Sequence, residues 1–251
     1  IGKNSKSVFA PTALTEKSIS LCKQIKEPII FVNSINQLEK IKKEIPDVTC
    51  GFRVNLNNDS LINHNKHYCS ACDRIGLSYK QLEQFFESNE YNTDKPNSLH
   101  IYPGTNINSI STLLSTYKKI FELYRKIPDL SIIDIGGGLP STFIKPIGKN
   151  NFWDRWRTGV QELIDNIIDN KSNFQLFLEF GRSIIASSAV FITSVVDIVE
   201  SSKRSIIICD SELSSFPRPF FYKSASFDHH VSISSSLSNF DSQLSRYLIT
   251  G

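Results

Sequence analysis

Short apolar runs and amphipathic stretches take turns along most of the chain. The runs at residues 8–10, 28–32, 51–56, 99–102, 132–135 and 176–179 read as buried strands. Between them the apolar positions recur at helical spacing. Ile19, Cys22 and Ile25 share one face of residues 15–25, and Leu38, Ile41 and Ile45 follow Ser34 and Gln37, a pair with capping-box spacing. Ser78 and Gln81 repeat that spacing before Leu82, Phe85 and Phe86. A longer stripe joins Ile110, Leu113, Leu114, Tyr117, Ile120, Phe121 and Tyr124, and another joins Trp153, Trp156, Val160, Leu163, Ile164 and Ile167. A βα order that repeats in this way predicts an α/β fold with a parallel sheet, either open or closed into a barrel.

From about residue 189 the pattern changes. Strand-like runs at residues 190–199, 205–210 and 230–234, and again at 247–249, follow one another with serine-rich connections and no long amphipathic stretch. This predicts a second, mainly β domain, divided from the first near residues 184–188: 1–185 for the βα part and 186–251 for the β part.

Composition narrows the classes. The 251 residues are 40% hydrophobic and 21% charged, ordinary for a globular chain, and the net charge of +3 comes from 28 basic and 25 acidic residues without clustering. No electrostatic footprint for nucleic acid or a membrane surface is present. The longest apolar run, residues 189–199, is interrupted by Thr193, Ser194 and Asp197 and is too short to span a bilayer. Five cysteines without a disulfide-like framework, and no secretory leader pattern, point to a cytoplasmic protein. No methionine occurs, and the chain opens on Ile1, so a fragment cut at both ends is expected.

Ligands of parallel α/β sheets and barrels bind at the carboxyl ends of the strands. Those ends hold Arg53 and Asn55 in "GFRVN", Tyr102, Gly104 and Thr105 in "LHIYPGTN", Gly136, Gly137 and Gly138 in "IDIGGGLP", and Glu179, Gly181 and Arg182 in "LEFGRS". A single glycine turn is usually only a loop. Two glycine turns after consecutive strands, the second with a carboxylate and an arginine, point to a site for an anionic cofactor, because glycine admits close approach to main-chain N–H groups.

These segments resemble the fold-type III pyridoxal-phosphate decarboxylases, the diaminopimelate and ornithine decarboxylase family. "IDIGGGLP" followed by "LEFGRS" is similar to that family's G-G-G loop and E-P-G-R turn, and "LHIYPGTN" to its H-F-H-I-G-S-Q strand. "GFRVNLNND" with "DRIGLS" is similar to R-I-N-P and S-K-F-G-[IL], and "CDSELSSFPRPFFY" with "DHHVSI" to a stretch typical of diaminopimelate decarboxylases. The resemblance implies a (β/α)8 barrel of alanine racemase-like type, lacking its first strands here, followed by an incomplete β domain. It implies pyridoxal 5'-phosphate as cofactor and an amino-acid substrate, in a homodimer with shared sites. By position, Glu179 faces the pyridine nitrogen, where a carboxylate keeps that nitrogen protonated. Gly136, Gly137, Gly138, Gly104, Gly181 and Arg182 surround the phosphate, Thr105 replaces a family serine beside it, Tyr102 takes the stacking histidine's place, and Arg53 supports the ring's oxygen side. Arg218 and Tyr222 match the family's R-P-x-L-Y residues, which implies a substrate with a second anionic group.

Departures accompany the resemblance. Phe180 stands where the family has proline, His100 falls on an earlier histidine of the strand, and "DSEL" replaces D-A-G-M. The Schiff-base lysine belongs to a strand before Val8, and the catalytic cysteine to a G-P-x-C turn after "YLITG", so neither principal catalytic residue is expected within these residues. His64, His67, Cys69 and Cys72 crowd into "HNKHYCSAC"; their spacing is wrong for a zinc finger, so an active-site loop without metal is expected. The functional expectation is a decarboxylase of the diaminopimelate kind, a siderophore- or polyamine-pathway decarboxylase of the same family, or a non-catalytic decarboxylase-like regulator. A racemase on the same barrel places arginine opposite the ring nitrogen, and Glu179 disfavours it.

Overall fold

The computed structural model describes residues 6–56, 75–88, 95–127, 130–140, 152–167, 174–186, 188–200, 205–212, 214–215 and 247–250. Among them the helices begin where side chains satisfy their first N–H groups. Thr15 and Ser18 form a reciprocal capping box ahead of α1 (Glu16–Lys23), and Ser78 and Gln81 form one ahead of α3 (Tyr79–Glu87). At α2 (Ile35–Glu44) only half of the expected box exists: Ser34 accepts from the Gln37 N–H, but the Gln37 side chain accepts from the Asn33 N–H at 2.9 Å. Asn33 is thereby held at the end of the preceding strand, and its amide also donates to Pro11 O at 2.6 Å. Each cap contributes about 1 kcal/mol.

Six strands pair side by side in the order in which they occur: β1 (Val8–Phe9), β2 (Ile29–Val32), β3 (Thr49–Asn55), β5 (Ser98–Ile101), β6 (Ile132–Asp134) and β7 (Gln175–Phe177). All pairings are parallel, and the two-residue β4 (Leu77–Ser78) adds to the end of β3. A doubly wound sheet reverses its strand order at a switch point; this one never does, which is the order of a (β/α) barrel. The crossovers are α1, α2, α3, α4 (Ile110–Lys126) and α5 (Phe152–Ile167).

Two faces of the sheet hold different chemistry. Ile30, Val32, Phe52, Leu99, Ile101, Ile133 and Ile135 alternate with the opposite set and are fully or nearly fully buried. The other face carries Ile29, Phe31 and Ile132 in one cluster with Val8, Ala10 and Phe177 packed against it. Gly51 and Ser98 stand beside Phe31 in this layer, and a Cβ on Gly51 would meet the Phe31 ring at 2.7 Å. One step toward the carboxyl ends, the register sets Arg53 opposite His100 and His100 opposite Asp134. All three are buried, so a polar layer caps the apolar one.

The chain separates into two compact units, Ile1–Pro140 with Gly148–Ser183, and Ser141–Ile147 with Ile184–Gly251. The second holds β8 (Val195–Val199), β9 (Ser205–Cys209) and β10 (Tyr247–Thr250), with β9 central, antiparallel to β8 and parallel to β10. The strand expected over residues 190–199 is pairing-competent only in its second half. Before it, the Asp210 carboxylate takes the Ser194 N–H at 2.8 Å and the Thr193 hydroxyl at 2.6 Å, while the Asp210 N–H donates to Ser194 O at 3.1 Å. The strand expected at residues 230–234 lies outside the described residues. No helix among those described is long and apolar enough to cross a membrane.

Candidate functional site

The three glycines after β6 answer to the strands on either side. Gly136 has φ +64°, and a Cβ there would run into Ile101 O; Gly138 has φ +85°, and a Cβ would meet Gly104 O at 2.7 Å. A Cβ on Gly137 would run into Glu179 O on the other side. The loop is wedged between the ends of β5 and β7, and no side chain fits at any of the three positions. Main-chain bonds fix the wedge: Ile107 N–H to Gly138 O at 2.9 Å, and Glu179 N–H to Gly136 O at 2.9 Å.

Above this wedge lies a cavity of about 250 Å³. The end of β5 contributes Tyr102, Gly104 and Thr105, the glycine loop Gly137, Gly138 and Leu139, and the turn after β7 Glu179, Gly181, Arg182 and Ser183. Eight of the ten residues expected at a cofactor therefore line one space. Gly136 lies buried beneath it, and Arg53 lies in the polar layer, where its Nη1 donates to Ala10 O at 3.1 Å. Arg218, Tyr222 and the His64 to Cys72 cluster lie outside the described residues.

Gly181 differs from the other glycines. Its φ is not in the left-handed region, and a Cβ built on it meets no atom within 4 Å. No described residue requires glycine there, and Gly181 itself lines the cavity. Arg182, which follows, begins the short helix α6 (Arg182–Ile185), an element concealed in the sequence by its few residues. Phe180 points the other way and packs edge-on to Trp156 and Trp153 of α5, at ring separations of 5.4 and 6.3 Å. An aromatic in the family's proline position thus docks the turn onto the helix behind it.

Glu179 is the only carboxylate of the lining among the described residues. Its side chain is 43% exposed, and its Oε2 lies 3.2 Å from Nε2 of the buried His100. That hydrogen bond, first, and the charges of His100 and Arg53 hold its carboxyl below the usual range despite partial burial. Asp134 behaves oppositely: enclosed in the layer below, it is pushed upward by desolvation, with the nearby Glu179 adding to the rise and His100, the Gly136 N–H and Arg53 opposing it. Donor atoms of His100, Asp134 and Glu179 lie within 4.8 Å of one another. One nitrogen and two carboxylates suit a divalent cation in type, but the guanidinium of Arg53 in the same layer already supplies the cationic neighbour.

His100 and Asp134 were not singled out as functional from the sequence. The signal was present, since each is one polar residue in an apolar strand, two positions before Tyr102 and Gly136 respectively. Two-residue periodicity places both on the side of the sheet that leads to the rim.

Consecutive parallel strands with a glycine-walled cavity at their carboxyl ends define a (β/α)-barrel protein with a site for a small anionic ligand. The chain belongs to the pyridoxal-dependent decarboxylase family: the family's pyridoxal binding domain matches residues 2–186. Diaminopimelate decarboxylase of Archaeoglobus fulgidus is 24% identical over 219 residues, 85% of this chain and 51% of that protein. Diaminopimelate decarboxylase from Helicobacter pylori, solved with L-lysine, shares the fold with a TM-score of 0.68 at 20% identity, over 86% of this chain and 55% of that one. Carboxynorspermidine decarboxylase from Campylobacter jejuni, solved with norspermidine, gives 0.63 at 19% identity, over 87% and 52%. The chain spans about half the length of these relatives.

Proposed function

We propose that the protein is a pyridoxal-phosphate-dependent amino-acid decarboxylase whose substrate carries a second anionic group, as diaminopimelate does. The observation that carries this reading is a carboxylate, Glu179, held below its usual range by its His100 hydrogen bond and sharing one cavity with a glycine loop and Arg182. The cavity suits the cofactor's two ends. Main-chain N–H groups of Gly137 and Gly138, the Thr105 hydroxyl and the Arg182 guanidinium receive the phosphate, and Glu179 faces the ring nitrogen. Tyr102 offers a ring face for stacking, and the empty Cβ position of Gly181 leaves room for the ligand. Held there by these residues with its nitrogen protonated, the cofactor would supply an electron sink for the pair left on the α-carbon when CO2 departs.

In this reading residues 1–185 form the cofactor-binding barrel domain and residues 186–251 begin a C-terminal β domain of a cytoplasmic homodimer with shared sites. Arg218 binds the distal carboxylate of the substrate beside Tyr222, and the curated diaminopimelate decarboxylases among the relatives support that substrate class.

The test uses the full-length protein. Incubation with pyridoxal phosphate, reduction with borohydride and peptide mapping are expected to yield a pyridoxyl-lysine, and CO2 release is expected from meso-diaminopimelate ahead of lysine, ornithine and carboxynorspermidine. A folded protein with no lysine adduct and no CO2 from any of them would replace this reading with a non-catalytic regulator.

A further inference from the structure

The polar layer beneath the cavity has no explanation in packing. His100 is 1% exposed and Asp134 fully buried. Nδ1 of His100 and Oδ2 of Asp134 have no hydrogen-bond partner among the described residues. Buried groups left in this state cost stability, and an apolar layer of equal volume would serve the barrel at least as well. Their connections run to the site instead. Asp134 Oδ1 accepts the Gly136 N–H at 2.8 Å, Gly136 O accepts the Glu179 N–H at 2.9 Å, and Glu179 Oε2 meets His100 Nε2 at 3.2 Å. His100 and Asp134, the two ends of this run of bonds, stand opposite each other on neighbouring strands. The Phe31 ring, 5.2 Å from the His100 ring and tilted by 38°, limits the imidazole's freedom from β2. Among the described residues, the titratable and charged groups near Glu179 include Arg53 from β3, His100 from β5, Asp134 from β6 and, across the same cavity, Arg182.

We propose that His100 is a positioning residue: from within the barrel it aims and keeps ionised the Glu179 carboxylate that faces the cofactor's ring nitrogen, while Asp134 ties that setting to the glycine loop at the phosphate end. The inference rests on the cofactor reading above and extends it to two residues outside the cavity lining. Through these bonds, displacement of the glycine loop is felt at Glu179, because Asp134 and the Glu179 main chain both hang on Gly136.

The experiment uses the full-length protein with pyridoxal phosphate itself. His100→Phe keeps an aromatic ring against Phe31 and removes the donor to Glu179, whereas His100→Gln supplies an amide N–H of similar reach. The readouts are the cofactor dissociation constant across pH, the NMR signal of isotope-labelled ring nitrogen, and the melting temperature of cofactor-free protein as a control for structural damage. His100→Phe is expected to weaken binding on the order of tenfold, the worth of one charge-assisted hydrogen bond. Its acid limb moves to higher pH, because the Glu179 carboxyl loses the bond that holds it low, and the nitrogen signal moves toward the unprotonated position. His100→Gln recovers most of the affinity. Wild-type affinity, pH profile and nitrogen signal in His100→Phe overturn the inference, and so does an equal loss in both variants with an unmoved nitrogen signal. Should His100→Phe fail to fold, His100→Asn, whose amide stops short of Glu179, replaces it with the same expected and overturning results. Failure of the wild-type protein to take up pyridoxal phosphate overturns the proposed function and this inference together, whereas normal uptake indifferent to His100 removes only the inference.

Discussion

Gly138 and Gly181 both line the cavity, but they are glycines for different reasons, and substitution separates them. At Gly138 an alanine must adopt φ +85° and crowd the Gly104 carbonyl, so Gly138→Ala is expected to lose at least ~1–2 kcal/mol of stability. At Gly181 the added methyl meets nothing among the described residues, and reduced freedom of the unfolded state leaves stability unchanged or raised by up to ~1 kcal/mol. Gly181→Ala is nevertheless expected to weaken pyridoxal phosphate binding; melting curves and cofactor titrations on both variants check the pair, and unaltered binding by Gly181→Ala would remove the cavity from consideration as the cofactor site. Asp134 supplies a pH-dependent case. Burial raises its carboxyl above the ordinary 3.8, so native Asp134 keeps its proton where the unfolded chain has lost it. Stability therefore declines as pH rises from the ordinary value through the raised one. Asp134→Asn, which still offers an acceptor to the Gly136 N–H, is expected to flatten that decline, and parallel curves of melting temperature against pH for the two proteins would contradict this. At this scale the sequence disclosed the rim but not its support. Glycine runs and a terminal Glu179 announce themselves, whereas a lone His100 or Asp134 inside an apolar strand acquires meaning only when the neighbouring strand shows what it touches.

The helices were legible because their apolar stripes and caps are local. Every expected helix with described residues is present, and the discrepancies fall where partners at a distance decide: Gln37 leaves Ser34 for Asn33, and the Asp210 side chain takes the Ser194 N–H that a longer β8 would need. Close approach between elements is equally invisible in a one-dimensional pattern. Gly159 in the middle of α5 would read as a helix defect, yet a Cβ there would collide with the end of the Leu114 side chain on α4. Gly159→Ala is expected to be near neutral, since a helix-propensity gain of up to ~1 kcal/mol offsets displacement of a movable leucine terminus. Gly159→Val presents a branched group to the same gap and is expected to cost about 1–3 kcal/mol by overpacking. Urea unfolding of the two variants distinguishes them, and equal midpoints would show that the helices separate freely.

For the molecule as a whole, both tryptophans, Trp153 and Trp156, belong to α5 of the barrel unit, so their fluorescence follows that unit alone. Saturating pyridoxal phosphate is expected to raise the transition seen by tryptophan fluorescence, by about 2.7 kcal/mol at a hundredfold excess over the dissociation constant. A fluorescence transition that does not respond would place the cofactor outside the barrel. The parallel sheet was legible from alternation alone, but its choice of barrel over open sheet was not, because strand order is a property of pairings between residues far apart in the chain. That order has a consequence for biosynthesis. Since spatial order equals chain order from β1 to β7, a growing polypeptide always presents the edge of the most recently made strand to the next one, and no strand must wait for a later segment to separate it from its neighbour. The cavity is assembled from the ends of the last three strands of this series, so on the proposed function a nascent chain becomes competent to capture its cofactor only once Arg182 has left the ribosome, with the supporting strands already in place.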